Sequence, residues 1–238
     1  MRALAAAALL CAGPALAETP RWGSFQFQMG TYRPNIDAEF GGASRPYADI
    51  FGSGRHFAYK AQVASTLLSQ MGSLELGAGL GWFQVTGKGL IDGCTPGPTT
   101  NCASGDDTSL RILPISLSLT YRFDRFVGTV PLAPYLRASL ERWQWWVTNG
   151  GGGTARVIGG PAGRGATNGW SAALGLCFLL DFVDPTLARE MDRDTGINHT
   201  YLFVEAARTQ VDDFGSKKSW DLSDEKSLAW SGGILFVF

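Results

Sequence analysis

A surplus of basic charge is the first thing this chain lacks. With 20 Lys+Arg against 21 Asp+Glu in 238 residues its formal net charge is −1, so no electrostatic grip on a phosphate backbone exists and nucleic acid is not an expected partner. Charge of either sign is scarce, at 17% of residues against roughly 25% in an average soluble domain. Histidine occurs twice, as His56 and His199, which leaves little material for a metal centre or an acid–base pair. Beyond the extreme N-terminus no apolar run approaches the ~18 residues that a membrane helix needs, so a helical span of the inner membrane is excluded. What the chain has in excess is glycine, 31 residues, and aromatics, 14 Phe, 8 Trp and 6 Tyr. That mixture is too hydrophobic for disorder and too rich in glycine for a helical bundle.

The first seventeen residues read as an export signal. Arg2 is followed by an apolar run to Cys11, then Gly13-Pro14 and the small-x-small pattern Ala15-Leu16-Ala17, after which cleavage is expected. The mature domain is then 18–238. A lipid anchor at Cys11 is the alternative, but the bulky Leu10 stands where such a site requires a small residue. Cys94 and Cys102 bracket a segment rich in proline and threonine, and in an oxidising compartment they are expected to form a disulfide. Zinc at that pair lacks further ligands nearby. Cys177 lies inside an apolar strand pattern and reads as a small buried residue.

Period-two alternation dominates the rest. In its clearest stretch Leu113, Ile115, Leu117, Leu119, Tyr121 and Phe123 share one face, and Ser116, Ser118, Thr120 and Arg122 the other. Seven further segments alternate in the same way, at 22–33, 55–68, 73–85, 134–147, 169–181, 200–211 and 228–238. Long connections (34–54, 86–109, 148–168, 212–227) alternate with shorter ones, and the exception, 182–199, holds Asp184-Pro185 ahead of Leu187, Ala188 and Met191, the pattern of a short capped helix. Such alternation suits both a membrane barrel and a soluble ligand-carrying one. Size decides between them. The polar face is also the small one (Gly77, Gly79, Gly81, Ser116, Ser118, Ser139, Gly175, Gly233), and eight strands enclose too little volume for the Leu, Phe and Trp of the other face. Trp82, Trp143, Trp145, Trp146, Trp170 and Trp230 fall near strand ends, where interfacial girdles are expected.

The Ala15-x-Ala17 signal, the eight amphipathic segments and the terminal strand with Trp230, Ile234, Phe236 and Phe238 in one phase together resemble the eight-stranded outer-membrane β-barrels of Gram-negative bacteria. More narrowly, Tyr32-Arg33-Pro34-Asn35-Ile36-Asp37-x-Glu39-Phe40, Tyr47-x-Asp49-Ile50-Phe51-Gly52 and Asn198-His199-Thr200-Tyr201-Leu202-Phe203-x-Glu205 resemble an uncharacterised barrel family of myxobacteria and their relatives. The resemblance implies an all-β, eight-stranded, antiparallel up-and-down transmembrane barrel with one short periplasmic helix. It also implies the outer membrane as location, its lipid as surroundings, a monomer, and recognition of the terminal aromatic Phe238 by the barrel assembly machinery. It brings no activity with it.

Candidate chemistry is sparse. Lys60, Glu75, Arg122, Arg137, Glu141 and Glu205 fall on the inward face, three acids and three bases. They are expected to pair and close the lumen, the alternative being a charge-lined pore. Arg33, Asp37, Glu39, Arg45 and Asp49 lie in the first long connection, where they either brace one another or bind a surface ligand. The glycines at 150–153 and 159–160 are not followed by a helix and so do not form a phosphate cradle; a mobile loop is expected. Asp192-x-Asp194-x-Gly196-x-Asn198 has calcium-like spacing without the distal glutamate, and helix-end capping is its expected use. His199 and His56 lack a serine at catalytic spacing. No catalytic residue, cofactor or metal is therefore assigned, and a structural, adhesive or surface-interaction role is expected. A lipid-modifying enzyme and a small diffusion channel stand as alternatives.

Overall fold

The computed structural model describes residues 21–91, 93, 94, 97, 100–125, 127, 129–156, 162–216 and 218–238. The export signal and its cleavage site, and Gly159 and Gly160, lie outside these residues. Eight strands close into one antiparallel barrel in sequence order: β1 (Gly23–Tyr32), β2 (His56–Leu68), β3 (Ser73–Leu90), β4 (Ala103–Arg122), β5 (Leu132–Thr148), β6 (Arg164–Leu179), β7 (His199–Gln210) and β8 (Ala229–Val237). The seam is made by β8 pairing with β1, with Phe25 opposite Phe236. Short connections and both ends of the barrel domain gather at one end, here the terminal end; the four long connections gather at the other, the loop end.

The alternation of the sequence translates directly into the wall. On β3, Ser73, Glu75, Gly77, Gly79 and Gly81 point inward while Leu76, Leu80 and Trp82 point out. The outer surface is correspondingly apolar: Leu80 is 54% exposed, Leu117 52%, Leu140 61% and Leu174 60%. A continuous belt of such residues around the barrel far exceeds the few hundred Å² of apolar patch that a soluble monomer carries, and hydrocarbon is the solvent that suits it. Among the described residues no helix is long and apolar enough to cross a membrane. Crossing falls to the strands.

Three features differ from the sequence reading. First, β3 and β4 run on well past the expected ends, pairing from Ser73↔Arg122 up to Leu90↔Ala103, so most of the second long connection, 86–109, is a tall hairpin. Its polar residues hide it from an apolar-alternation test. Second, the connection after β1 contains a 3-10 turn at Ile36–Phe40 and a helix, α1 (Pro46–Phe51), too short to show a period. The expected helix is α2 (Pro185–Thr195), whose cap Asp184 accepts hydrogen bonds from the Thr186 and Leu187 amides at 3.0 Å. Gly196 closes its far end in the left-handed conformation, its amide bonded to the Asp192 carbonyl, and among the described residues no acidic or histidine cluster could hold a metal. Third, Trp143 and Trp145 are not girdle residues. Both lie inside the barrel, with Tyr32, Phe83, Val85, Leu110, Ile112, Val211 and Leu222, because their odd parity on β5 matches the inward Arg137 and Glu141. Trp82, Trp146, Trp170 and Trp230 occupy the outward phase.

The lumen is thus layered. A second apolar cluster, including Tyr135, Cys177, Leu179, Tyr201, Phe203, Leu235 and Val237, fills the terminal end. Glycine makes room for it: a Cβ on Gly175 would fall 2.2 Å from the Tyr135 ring, so only glycine lets that ring cross. Between the two apolar plugs lies a polar middle.

The disulfide joins Cys94 and Cys102 across the tip of the tall hairpin, at the loop end, with their Cα atoms 5.6 Å apart. Cys177 is free and buried. Intact cells treated first with a membrane-impermeant reductant and then with an impermeant maleimide are expected to label at Cys94 and Cys102 and not at Cys177. Labelling only after the outer membrane is broken would turn the barrel over.

Candidate functional site

Two arrangements hold the polar chemistry: the lumen's middle and the folded mouth above it. In the lumen all six singled-out charges meet. Arg122 pairs with Glu75, whose other oxygen accepts from the Ser24 hydroxyl at 2.8 Å. Arg137 pairs with Glu205, which also accepts from the Tyr135 hydroxyl at 2.8 Å and from Gln28 at 2.9 Å. Lys60 pairs with Glu141 at 3.2 Å, and Glu141 accepts further from Ser171 at 2.8 Å and the Trp143 indole at 3.1 Å. Strand register explains the pairing: acids and bases sit on different strands of one lumen, at inward positions where the alternation leaves no room for large neighbours. Between this layer and the aromatic plug lies a cavity of about 130 Å³, lined among others by Gln28, Lys60, Phe83, Trp143 and Ser171.

At the mouth, the connection between β1 and β2 is locked onto the connection between β7 and β8. The Tyr32 hydroxyl donates to the Leu222 carbonyl at 2.6 Å, and Leu222 itself is fully buried in the aromatic plug. Asn35 and Glu225 amides complete a short bridge to Ser223 and Arg33. Arg55 grips Asp224 with two hydrogen bonds of 2.8 and 2.7 Å, a fork that fixes geometry as well as charge. Trp220 stacks on Trp145 with centroids 4.0 Å apart.

The five loop residues singled out in the sequence divide. Arg33 reaches Asp37 at 3.2 Å and Glu225 at 2.8 Å. Asp37 accepts from the Tyr47 and Ala48 amides at the start of α1, and Glu39 accepts from the Asp221 amide. Among the described residues Arg45 and Asp49 form no side-chain hydrogen bond or ion pair with these three. Tyr47 is buried beneath Arg33, whose guanidinium lies 5.6 Å from its ring; burial holds its hydroxyl well above the ordinary phenol range, with Arg33 working the other way. Sequence reasoning missed the partners on the second connection, Trp220, Asp221, Leu222, Asp224 and Glu225. No local signal pointed to them, because the loop between Arg33 and Arg55 holds acids of its own in Asp37, Glu39 and Asp49.

The two histidines lie at opposite ends. His56 begins β2 at the loop end, and its buried Nε2 makes no hydrogen bond. His199 begins β7 at the terminal end, with Nδ1 2.7 Å from Asp181 and Nε2 2.6 Å from the Arg21 guanidinium. Arginine can only donate, so Nε2 is the acceptor there and Nδ1–H donates to Asp181. Asp181 also accepts from the Thr200 amide at 3.0 Å. Both ring nitrogens are occupied by positioning contacts.

Comparison with known proteins adds three solved barrels. A scan against protein families matches none, and a search of curated proteins finds no similar one. The N-terminal β-barrel domain of Pseudomonas aeruginosa OprF aligns over 92% of this chain and 100% of its own, with a TM-score of 0.42 and 14% identity. Ail, the attachment invasion locus protein of Yersinia pestis, solved with the heparin analogue sucrose octasulfate, aligns over 92% and 97% with a TM-score of 0.39 and 8% identity. A major outer membrane protein of Thermus thermophilus aligns over 92% and 100% with a TM-score of 0.41 and 14% identity. The eight-stranded closed barrel itself rests on the strand pairing of this chain.

Proposed function

We propose that this chain is an outer-membrane β-barrel with a sealed lumen that works through its loop-end platform, in a structural, adhesive or surface-interaction role. The observation that carries the reading is the combination inside the barrel: three buried acid–base pairs between two apolar plugs, the upper one completed by Leu222 from a loop. A transport pore gains nothing from such filling. A scaffold for an ordered external platform gains rigidity from it. The apolar belt supports membrane insertion, the aromatic residues at its edges support interfacial anchoring, and the disulfide supports an oxidising location. With an N-terminus in the periplasm, the four long connections and the Cys94–Cys102 tip face outward. The patches at 32–40, 47–52 and 198–205 support kinship with the myxobacterial barrel family, and the first two build the platform.

Replacing residues 37–52 by a short glycine-serine turn removes α1 and the Asp37 and Glu39 contacts while leaving all strands. Cells displaying this variant are expected to keep a heat-modifiable barrel and lose adherence to glycan or matrix-coated surfaces that wild-type cells hold. Unchanged adherence across such a panel would contradict a surface role for this platform.

A further inference from the structure

Helix α2 is well capped and poorly covered. Asp184 caps its first turn, Pro185 opens it and Gly196 closes it, yet none of its eleven residues is buried. An isolated helix shorter than about 12–15 residues is marginal in water, because nucleation is costly and the hydrogen-bond ladder is short. Packing of an apolar stripe normally makes up the deficit. Here the stripe holds Leu187, which is 53% exposed, one turn before Met191, while Arg189 and Arg193 lie on the opposite side. The helix is not free to swing away either. Its base is stapled, since Asp181 accepts from His199 at 2.7 Å and from the Thr200 amide at 3.0 Å.

The turn that leads into α2 is barer still. Phe182 is 67% exposed and Val183 70%, at the end of the 3-10 turn Leu180–Phe182 and directly after it. Phe182 keeps the outward phase of β6, where Leu174, Leu176 and Phe178 form part of the apolar belt. The neighbouring connection adds to the same surface: Leu132 stands opposite Phe178 in the register, the Leu179 amide donates to the Pro131 carbonyl at 2.9 Å, and Val130 is exposed. The apolar wall thus runs on past the strand ends, over two turns, onto the helix. From Trp170 to Leu179, the last residue of β6, nine positions at a rise of about 3.3 Å and a tilt near 40° span roughly 23 Å, against an apolar band about 25 Å tall. The turn and α2 therefore begin at the band's edge, at the end opposite the long connections.

We infer that α2 and the turn before it lie in the interfacial layer of the membrane leaflet at the terminal end, with phospholipid covering Phe182, Val183 and Leu187. An apolar stripe seated at the boundary of acyl chains and headgroups leaves the opposite side, with the exposed Arg189 and Arg193, among headgroups and water. Lipid is the occupant because this face is continuous with the belt that lipid covers. The helix carries two bases, Arg189 and Arg193, against three acids, Glu190, Asp192 and Asp194, so the contact is made by apolar area and not by attraction to anionic headgroups. The inference rests on the membrane-spanning reading, and its test separates the two.

The test uses the full mature barrel refolded in phosphatidylcholine vesicles. Amide hydrogen exchange across α2 is compared between wild type and the variant F182S/V183S/L187S, with the β6 and β7 amides as internal standards. Wild type is expected to protect the helix amides, and the variant to exchange them at least about tenfold faster while its strands stay protected. A second measurement does not depend on the triple variant folding. In chains carrying C177A, an environment-sensitive maleimide dye is attached at L187C or at R189C and quenched from the lipid side by shallow doxyl-labelled lipid and from the water side by iodide. The dye at position 187 is expected to be quenched by the doxyl lipid and to be at least about threefold less accessible to iodide than the dye at position 189. Equal exchange in wild type and variant, or equal iodide access at the two positions, would overturn the lipid contact. Shielding at position 187 that arises only when a soluble periplasmic fraction is added would overturn it too, by assigning the face to a protein. Insertion of wild type is scored in the same vesicles by heat-modifiable gel migration. Its failure there sinks the membrane reading, whereas insertion with an unprotected α2 sinks the helix contact alone.

Discussion

Replacing Glu205 with Gln is expected to lower the unfolding free energy of the barrel by about 3–5 kcal/mol, the cost of stranding one member of a buried ion pair. Arg137 and Glu205 have side chains only 4% and 3% exposed, so neither charge has water to fall back on. With the carboxylate gone, Arg137 keeps the amide oxygens of Gln26 at 3.0 Å and Gln62 at 3.3 Å, which satisfy hydrogen bonds but not charge. Tyr135 and Gln28 donate to different oxygens of Glu205, and the glutamine retains only one of them, so one of the two donors faces an amide NH2 instead. Glu141→Gln removes the same kind of group from a wetter place: Lys60 is 22% exposed toward the lumen cavity, and the loss expected there is smaller, about 1–3 kcal/mol. Urea unfolding in lipid vesicles, followed by tryptophan fluorescence and gel migration, measures both. Wild-type stability for the Glu205 variant would mean that the pair does not hold the lumen together.

Deleting Phe238 is expected to have the largest effect in cells, leaving little folded barrel and a protease-sensitive chain in its place. The residue closes the seam. Its amide donates to the Gly23 carbonyl at 2.9 Å, its carbonyl accepts from the Trp22 and Gly23 amides at 2.6 and 3.2 Å, and its ring lies 5.7 Å from that of Trp22. A barrel has no stable edge in lipid, so a seam that fails to close exposes unpaired backbone where nothing can satisfy it. Recognition of the terminal aromatic during assembly, implied by resemblance, acts in the same direction. Trp230→Ala, on the same outward face but seven positions up β8, is the control and is expected to assemble. Wild-type surface levels of heat-modifiable protein after deletion of Phe238 would contradict the seam argument.

The strands were legible because a barrel wall divides its residues between two environments at a period of two: each outward residue from Leu113 to Phe123 is apolar, and each inward one from Ser116 to Arg122 is polar. The six inward charges were legible for the same reason, since a charge in the small-residue phase has only the lumen to enter. Legibility ended where the alternation breaks down. Trp143 and Trp145 continue the inward phase of β5 beyond Glu141. Composition alone draws a tryptophan near a strand end to the interface, yet parity places these two in the lumen. The plug they form also depends on Leu222, which arrives from a connection with no period at all. Its docking onto the mouth relies on Arg55 and Asp224, 169 residues apart in sequence, and separation of that order leaves no local trace.

Planar-bilayer recording tests the sealed barrel most directly. The purified wild-type chain, inserted as a heat-modifiable barrel, is expected to give no unitary current steps above the bare-membrane background. A variant with residues 214–226 cut to a short turn, which withdraws Leu222 and Trp220 from the mouth, is expected to conduct at most in brief bursts, because the ion pairs and the terminal-end plug remain. A steady, long-lived open channel from the wild-type protein would contradict the account.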